Sequence, residues 1–171
     1  MPRPVLTCLL LLTACGAPPA AAPAERGLPV PASAQVATVV RQTDGDTVVL
    51  RGRGVGPLPS SPTKVRLLLV DTPEVFGASE CLGPEASART EQLLPDGSEV
   101  RVEADEDLLD RFDRTLLHVW NADGVEVGEA LVREGLATVL VVRPNERYLE
   151  AYEAAEREAE QADRGVWSAC S

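Results

Sequence analysis

"VRLLLVDTPE", Val65 to Glu74, carries a basic residue, Arg66, inside an apolar run and ends in two carboxylates, Asp71 and Glu74, separated by Thr72 and Pro73. A short apolar run closed by Asp and Pro reads as a buried strand, Lys64 to Val70, followed by a turn. Turn chemistry alone explains that ending, so a functional role for the two carboxylates depends on the neighbouring segments. Side chains on a straight strand alternate, which would aim Arg66 and Asp71 at opposite faces. If they share a site, the strand must curl, bulge or stop pairing near Val70.

Upstream, Val36–Arg41 and Thr47–Arg51 are β-branched runs separated by "QTDGD", whose Asp44-Gly45 pair predicts a tight hairpin turn. "GRGVGPLPSSPT" is a long connection into the third strand. Downstream, "GPEASARTEQLL" reads as a helix with Pro84 in its first turn, stopped by "PDGS". "EVRVEAD" alternates as a strand, "RTLLHVW" is β-rich, and "NADG" is a turn. "GEALVREGLA" predicts a short helix capped by Gly135, and Asn145 to about Asp163 predicts the longest helix. Five short strands, with helices after the third, the fifth and the last segment, suit a small closed barrel. Regular strand-helix-strand alternation, the sign of a doubly wound sheet, is missing. With 171 residues, 44% hydrophobic, and Trp 2, Tyr 2 and Phe 2 as its aromatics, the chain has material for one core, placed at 35–171.

The N-terminus carries one arginine, an apolar run from Val5 to Leu12, then small residues, too short for a permanent bilayer span. Leu12-Thr13-Ala14-Cys15 resembles a lipobox, which implies a lipoprotein signal at 1–14, cleavage before Cys15 and lipid on its thiol. Ordinary cleavage near Ala20–Ala24, leaving a secreted soluble protein, is the alternative. Residues 15–34, rich in Ala and Pro, read as a flexible tether. The expected location is outside the cytoplasm, lipid-anchored at a periplasmic or extracellular membrane surface. Removing Cys8 with the signal and using Cys15 as the anchor leaves Cys81 and Cys170. Two thiols in an oxidising compartment predict one disulfide, with two unpaired thiols as the alternative.

Charge argues against tight, salt-resistant nucleic-acid binding, since Lys+Arg 16 against Asp+Glu 27 gives −11. The acids concentrate between Glu99 and Asp113 and along the last helix, which leaves room for a local basic cleft. No Cys-x-x-Cys pattern is present, and the single histidine, His118, sits in a strand-like run and reads as structural.

The segments "DGDT" (44–47), "RLLLVDTPE" (66–74), "GPEAS" (83–87), "DRFDR" (110–114) and "GEALVREGLA" (128–137) together resemble the staphylococcal nuclease (thermonuclease) family, in order and over roughly 36–167. The resemblance implies a mainly β, α+β architecture: an OB-fold barrel of five strands with three α-helices, expected to be monomeric. It also implies a calcium-dependent endonuclease acting on DNA and RNA, preferably single-stranded, and leaving 3′-phosphate ends.

The residue chemistry runs parallel to that implication. Calcium takes six to eight oxygen ligands, and Asp46, Asp71 and the Thr72 carbonyl are the candidates, leaving positions for water and a phosphate oxygen. Both aspartates would otherwise be ordinary turn residues. Arg66 and Arg114 are the candidates for neutralising the scissile phosphate, because a guanidinium grips two oxygens at once. Arg66 could instead be an edge arginine, and Arg114 could merely pair with Asp110 or Asp113. Glu74 is the candidate general base by resemblance, and Arg111 the candidate for a neighbouring phosphate.

Two departures from the family stand out. Where the family has base-stacking tyrosines after the second helix, this chain has Leu140, Val141 and Val142, and the family's Lys-Tyr-Gly becomes Arg111-Phe112-Asp113. Acidity and the missing tyrosines keep a second reading open: a non-catalytic barrel binding a polyanion or a protein partner at the cell surface.

Overall fold

The hairpin predicted at Asp44-Gly45 begins a closed barrel. The computed structural model describes residues 27–75, 77 and 79–170. The expected signal peptide at 1–14, the lipidation site Cys15 and the first part of the tether lie outside the described residues. β1 (Gln35–Asp44) pairs antiparallel with β2 (Thr47–Arg51), which pairs antiparallel with β3 (Pro62–Leu67). β3 runs parallel to β6 (Thr115–Trp120); β6 pairs with β5 (Glu99–Glu103), and β5 closes on β1. This is the expected five-stranded barrel with helices.

Three features go beyond the expectation. The third strand does not run from Lys64 to Val70: β3 ends at Leu67, Leu68 and Leu69 form a turn, and β4 (Val70–Asp71) pairs instead with β7 (Thr138–Val139) in a separate ribbon. Besides α1 (Gly83–Leu93), α2 (Val127–Arg133) and α3 (Leu149–Gln161), the described residues contain a fourth short helix, α4 (Val166–Ala169). Residues 27–34, expected to continue the flexible tether, lie against the barrel: the Trp120 indole N–H donates to the Leu28 carbonyl at 2.9 Å, and the Ser33 hydroxyl donates to Glu103.

The core follows from strand periodicity. Val39, Val48, Leu50, Val65, Leu67, Val100, Val102 and Leu117 fill the barrel, each with 2% exposure or less. Each such side chain contributes about 1.5–3 kcal/mol relative to remaining in water. Every residue of β6 is buried, and α2 packs against this strand. His118, in that strand, has a fully buried side chain whose ring stands edge-on to Tyr148 at 4.7 Å, a packing role in agreement with its reading as structural.

Candidate active site

Two glycines explain why the segment after β4 lies where it does. A Cβ on Gly45, in the turn joining β1 to β2, would sit 2.5 Å from the Thr72 hydroxyl oxygen. A Cβ on Gly83, at the start of α1, would sit 2.6 Å from the Glu74 carbonyl oxygen. Glycine at both positions lets Thr72–Glu74 thread between the hairpin turn and the helix. The glycines of "DGDT" and "GPEAS" are thus explained by close approach of backbone to backbone and side chain.

Asp46 follows Gly45 and is largely buried. Its Oδ1 accepts from the Thr47 hydroxyl at 2.9 Å, and its Oδ2 accepts from the Thr72 backbone N–H at 3.3 Å. From α1, the Thr90 hydroxyl donates to the Gly45 carbonyl at 2.6 Å and fixes the turn that presents Asp46. Sequence gives little sign of these two residues, since a threonine after a turn aspartate is a weak signal and a helix threonine gives none.

Arg66 lies between the two aspartates. Its Nη2 is 3.0 Å from Asp46 Oδ2 and 2.9 Å from Asp71 Oδ1, while Nη1 donates to the carbonyls of Leu67 at 3.0 Å and Val70 at 2.6 Å. The guanidinium therefore satisfies carbonyls freed by the end of β3 as well as two carboxylates. The alternation problem disappears because the turn at Leu68–Leu69, with Leu69 at φ 59°, ends the strand between Arg66 and Asp71.

Arg114 enters from the strand next to β3. It directly precedes β6, and the parallel register Val65↔Thr115 brings the start of that strand beside β3. Arg66 and Arg114 line one small cleft of about 50 Å³, together with Asp110, Leu140 and Val142. The Arg114 Nε donates to Asp110 Oδ2 at 2.6 Å, so the pairing weighed from sequence is present. Asp110 also accepts backbone N–H bonds from Phe112 at 2.8 Å and Arg114 at 2.9 Å, which makes it the organiser of the turn. Burial alone would raise its carboxyl, but the hydrogen bonds from Arg114 and Phe112 outweigh it and hold Asp110 below the usual aspartate value. Asp113, at the position of the family's glycine, has φ 59°, a conformation aspartate tolerates better than most residues.

Glu74 is solvent-exposed, in a loop closed on itself: its N–H donates to Glu80 Oε2 at 3.0 Å, and the Glu80 N–H donates to the Glu74 carbonyl at 2.9 Å. Desolvation, followed by the charges of Asp44, Asp46, Asp71 and Glu80, raises its carboxyl above the ordinary glutamate value. Asp71 is raised too: desolvation and the charges of Asp46 and Glu80 outweigh the lowering by Arg66. The far end of this loop is pinned by a disulfide between Cys81 and Cys170, 89 residues apart, joining it to the residue after α4.

Among the described residues, no group of three or more His, Cys, Asp or Glu side chains forms a ready metal cage. The donor set nevertheless fits a hard cation sharing its shell with water and phosphate. Asp46 and Asp71 both reach the single Arg66 nitrogen, so their carboxylates converge on one point, where oxygen donors suit a hard cation. Arg111 is exposed and lies beside the site, over the Phe112 ring.

A profile of the family described as staphylococcal nuclease homologue matches residues 64–169. The chain is 36% identical over 141 residues to a thermonuclease of Staphylococcus hyicus, covering 80% of this chain and 78% of that protein. It is 36% identical over 136 residues to endonuclease YncB of Bacillus subtilis, covering 77% of this chain and 61% of that protein. A thermonuclease of Staphylococcus intermedius is 33% identical over 132 residues, covering 75% of this chain and 74% of that protein. With the barrel, the ordered motifs and this coverage in agreement, the chain belongs to the staphylococcal nuclease homologue family.

Proposed function

We propose that this nuclease cuts DNA and RNA internally in a calcium-dependent reaction that leaves 3′-phosphate ends. Membership of the family makes it a nuclease, and hence a phosphodiester hydrolase acting on nucleic acid. The observation that supports the finer reading is the Arg66 Nη2 at 3.0 Å from Asp46 and 2.9 Å from Asp71, a guanidinium suited to phosphate beside two carboxylates suited to a cation.

Asp46, Asp71 and the Thr72 carbonyl would hold the calcium, whose charge draws in the phosphate oxygens and makes water more acidic. Arg66 exchanges a carboxylate partner for a phosphate oxygen, and Arg114 turns its remaining N–H donors to the same phosphate. Together they stabilise the charge that grows on the five-coordinate phosphorus. Glu74, exposed beside Asp71 and Thr72, takes one proton from the attacking water. The water oxygen bonds to phosphorus as the bond to the 5′-oxygen breaks. The phosphate stays on the 3′ side, and the departing 5′-oxygen takes a proton from solvent.

The lipobox-like Leu12–Cys15 supports an exported nuclease anchored by lipid on Cys15, and the family resemblance supports a monomer. Membrane fractionation of the native chain against Cys15→Ala tests the anchor: loss of the membrane-bound fraction supports it, and an unchanged distribution rejects it. The reaction is tested by cleaving single-stranded DNA and RNA with calcium and then with chelator, followed by end-group analysis. Calcium-dependent products with 3′-phosphates are expected; metal-independent cleavage or 5′-phosphate ends contradict the proposal.

A further inference from the structure

Phe112 has no packing reason to be where it is. It is 62% exposed, the most exposed aromatic side chain among the described residues, next to an arginine of the candidate site. Its backbone is held firmly: the Phe112 N–H donates to Asp110 at 2.8 Å, and the Asp113 N–H donates to the Asp110 carbonyl at 3.1 Å. Two guanidinium groups attend the ring, with the Arg111 carbon 4.6 Å and the Arg114 carbon 5.6 Å from its centroid. Cations on an aromatic ring are attracted to its face and keep it oriented.

A polynucleotide offers one kind of flat apolar surface, the face of a base, and it lies within a nucleotide's length of a phosphate. A solvent-exposed phenyl ring, attended by guanidinium groups and still offering apolar surface, matches that combination of charge and apolar face. Phe112 stands outside the cleft, beside Arg114, and the exposed apolar side chains that do line it, Leu140 at 41% and Val142 at 37%, are aliphatic and present no ring. We propose that Phe112 is the base-stacking platform of this nuclease, receiving the nucleobase next to the phosphate that Arg114 holds, with Arg111 on the neighbouring phosphate. The inference rests on the nuclease reading of Arg114. It also deepens that reading, because a base stacked inside a duplex cannot lie on the ring. The substrate selected is a single strand or a locally opened one.

The test is equilibrium binding by fluorescence anisotropy, using the full chain carrying Glu74→Gln so that the substrate survives. The probes are a short single-stranded DNA and a strand of the same length built from abasic deoxyribose phosphates. Phe112→Ala is expected to weaken binding of the base-bearing strand about 5- to 100-fold, to leave abasic binding unchanged, and to be rescued by Phe112→Trp. An equal loss on both strands would mean that the ring only arranges the arginines and would overturn the proposal, as would no loss on either. If the parent protein binds neither strand, the nuclease reading itself fails, an outcome distinguishable because it appears before Phe112 is altered.

Discussion

Arg66 and Asp71 stand five positions apart on what reads as one strand, yet their side chains meet at 2.9 Å. The turn at Leu68–Leu69 makes this possible, since it ends β3 and starts a new pairing with β7. One guanidinium then bridges Asp46 from the hairpin and Asp71 from the ribbon, so the barrel and the separate ribbon share a charged joint.

Glu74 is exposed and makes its loop hydrogen bonds through its backbone, so its carboxylate can change without cost to the core. Glu74→Gln is expected to lower kcat by about 10²- to 10⁴-fold while leaving the thermal midpoint nearly unchanged. Steady-state kinetics beside a melting curve check both, and unchanged turnover removes Glu74 as the base.

Gly83→Ala places a methyl group 2.6 Å from the Glu74 carbonyl oxygen. Backbone must move to relieve that contact, and the nearest backbone outside the helix is that of Glu74, the proposed base. Activity is expected to fall about 100-fold, out of proportion to the loss of stability; a drop in melting temperature with normal kcat would contradict this.

Much of this arrangement is legible in the sequence, and the exceptions have physical causes. The hairpin shows at Asp44-Gly45 because turn residues interrupt two β-branched runs. The break at Leu68–Leu69 is hidden because Leu67, Leu68, Leu69 and Val70 are all buried, and an apolar run does not reveal a turn made by a leucine at φ 59°. The longest helix, α3, starts at Leu149 rather than near Asn145, and the buried Asn145 side chain is bonded instead to the backbone of Asp107 at 2.8 and 3.1 Å. Asp110 reads from sequence as one of two possible partners for Arg114, and only the fold shows that it also holds the turn backbone.

Asp110 gives a pH-dependent prediction. Its folded-state carboxyl lies below the ordinary aspartate value, so its stabilisation is present above the unfolded value and is lost as pH falls through the folded one. Asp110→Asn should therefore be less stable than the parent at pH 7, with the gap closing in strong acid. Urea denaturation across that range checks the sign, and a gap that widens in acid refutes it.

The disulfide ties the end of the Glu74 loop to the C-terminus across 89 residues. Replacing both cysteines by serine is expected to cost roughly 2–5 kcal/mol, as for other long closed loops. It should also lower kcat by loosening the loop. Denaturation and kinetics of Cys81→Ser/Cys170→Ser, compared with the parent in the presence of a dithiol, check both; full activity in the double variant would show that the loop needs no brace.

The proposed reaction requires a calcium ion held jointly by Asp46 and Asp71. Calcium titration of the parent and of Asp71→Asn, read in parallel as thermal stabilisation and as cleavage of single-stranded DNA, tests it most directly. Saturable stabilisation is expected in the parent at the same calcium concentrations that switch on cleavage, with both lost or shifted to much higher calcium in Asp71→Asn. Cleavage by the parent without calcium, or equal calcium responses in the two proteins, would contradict it.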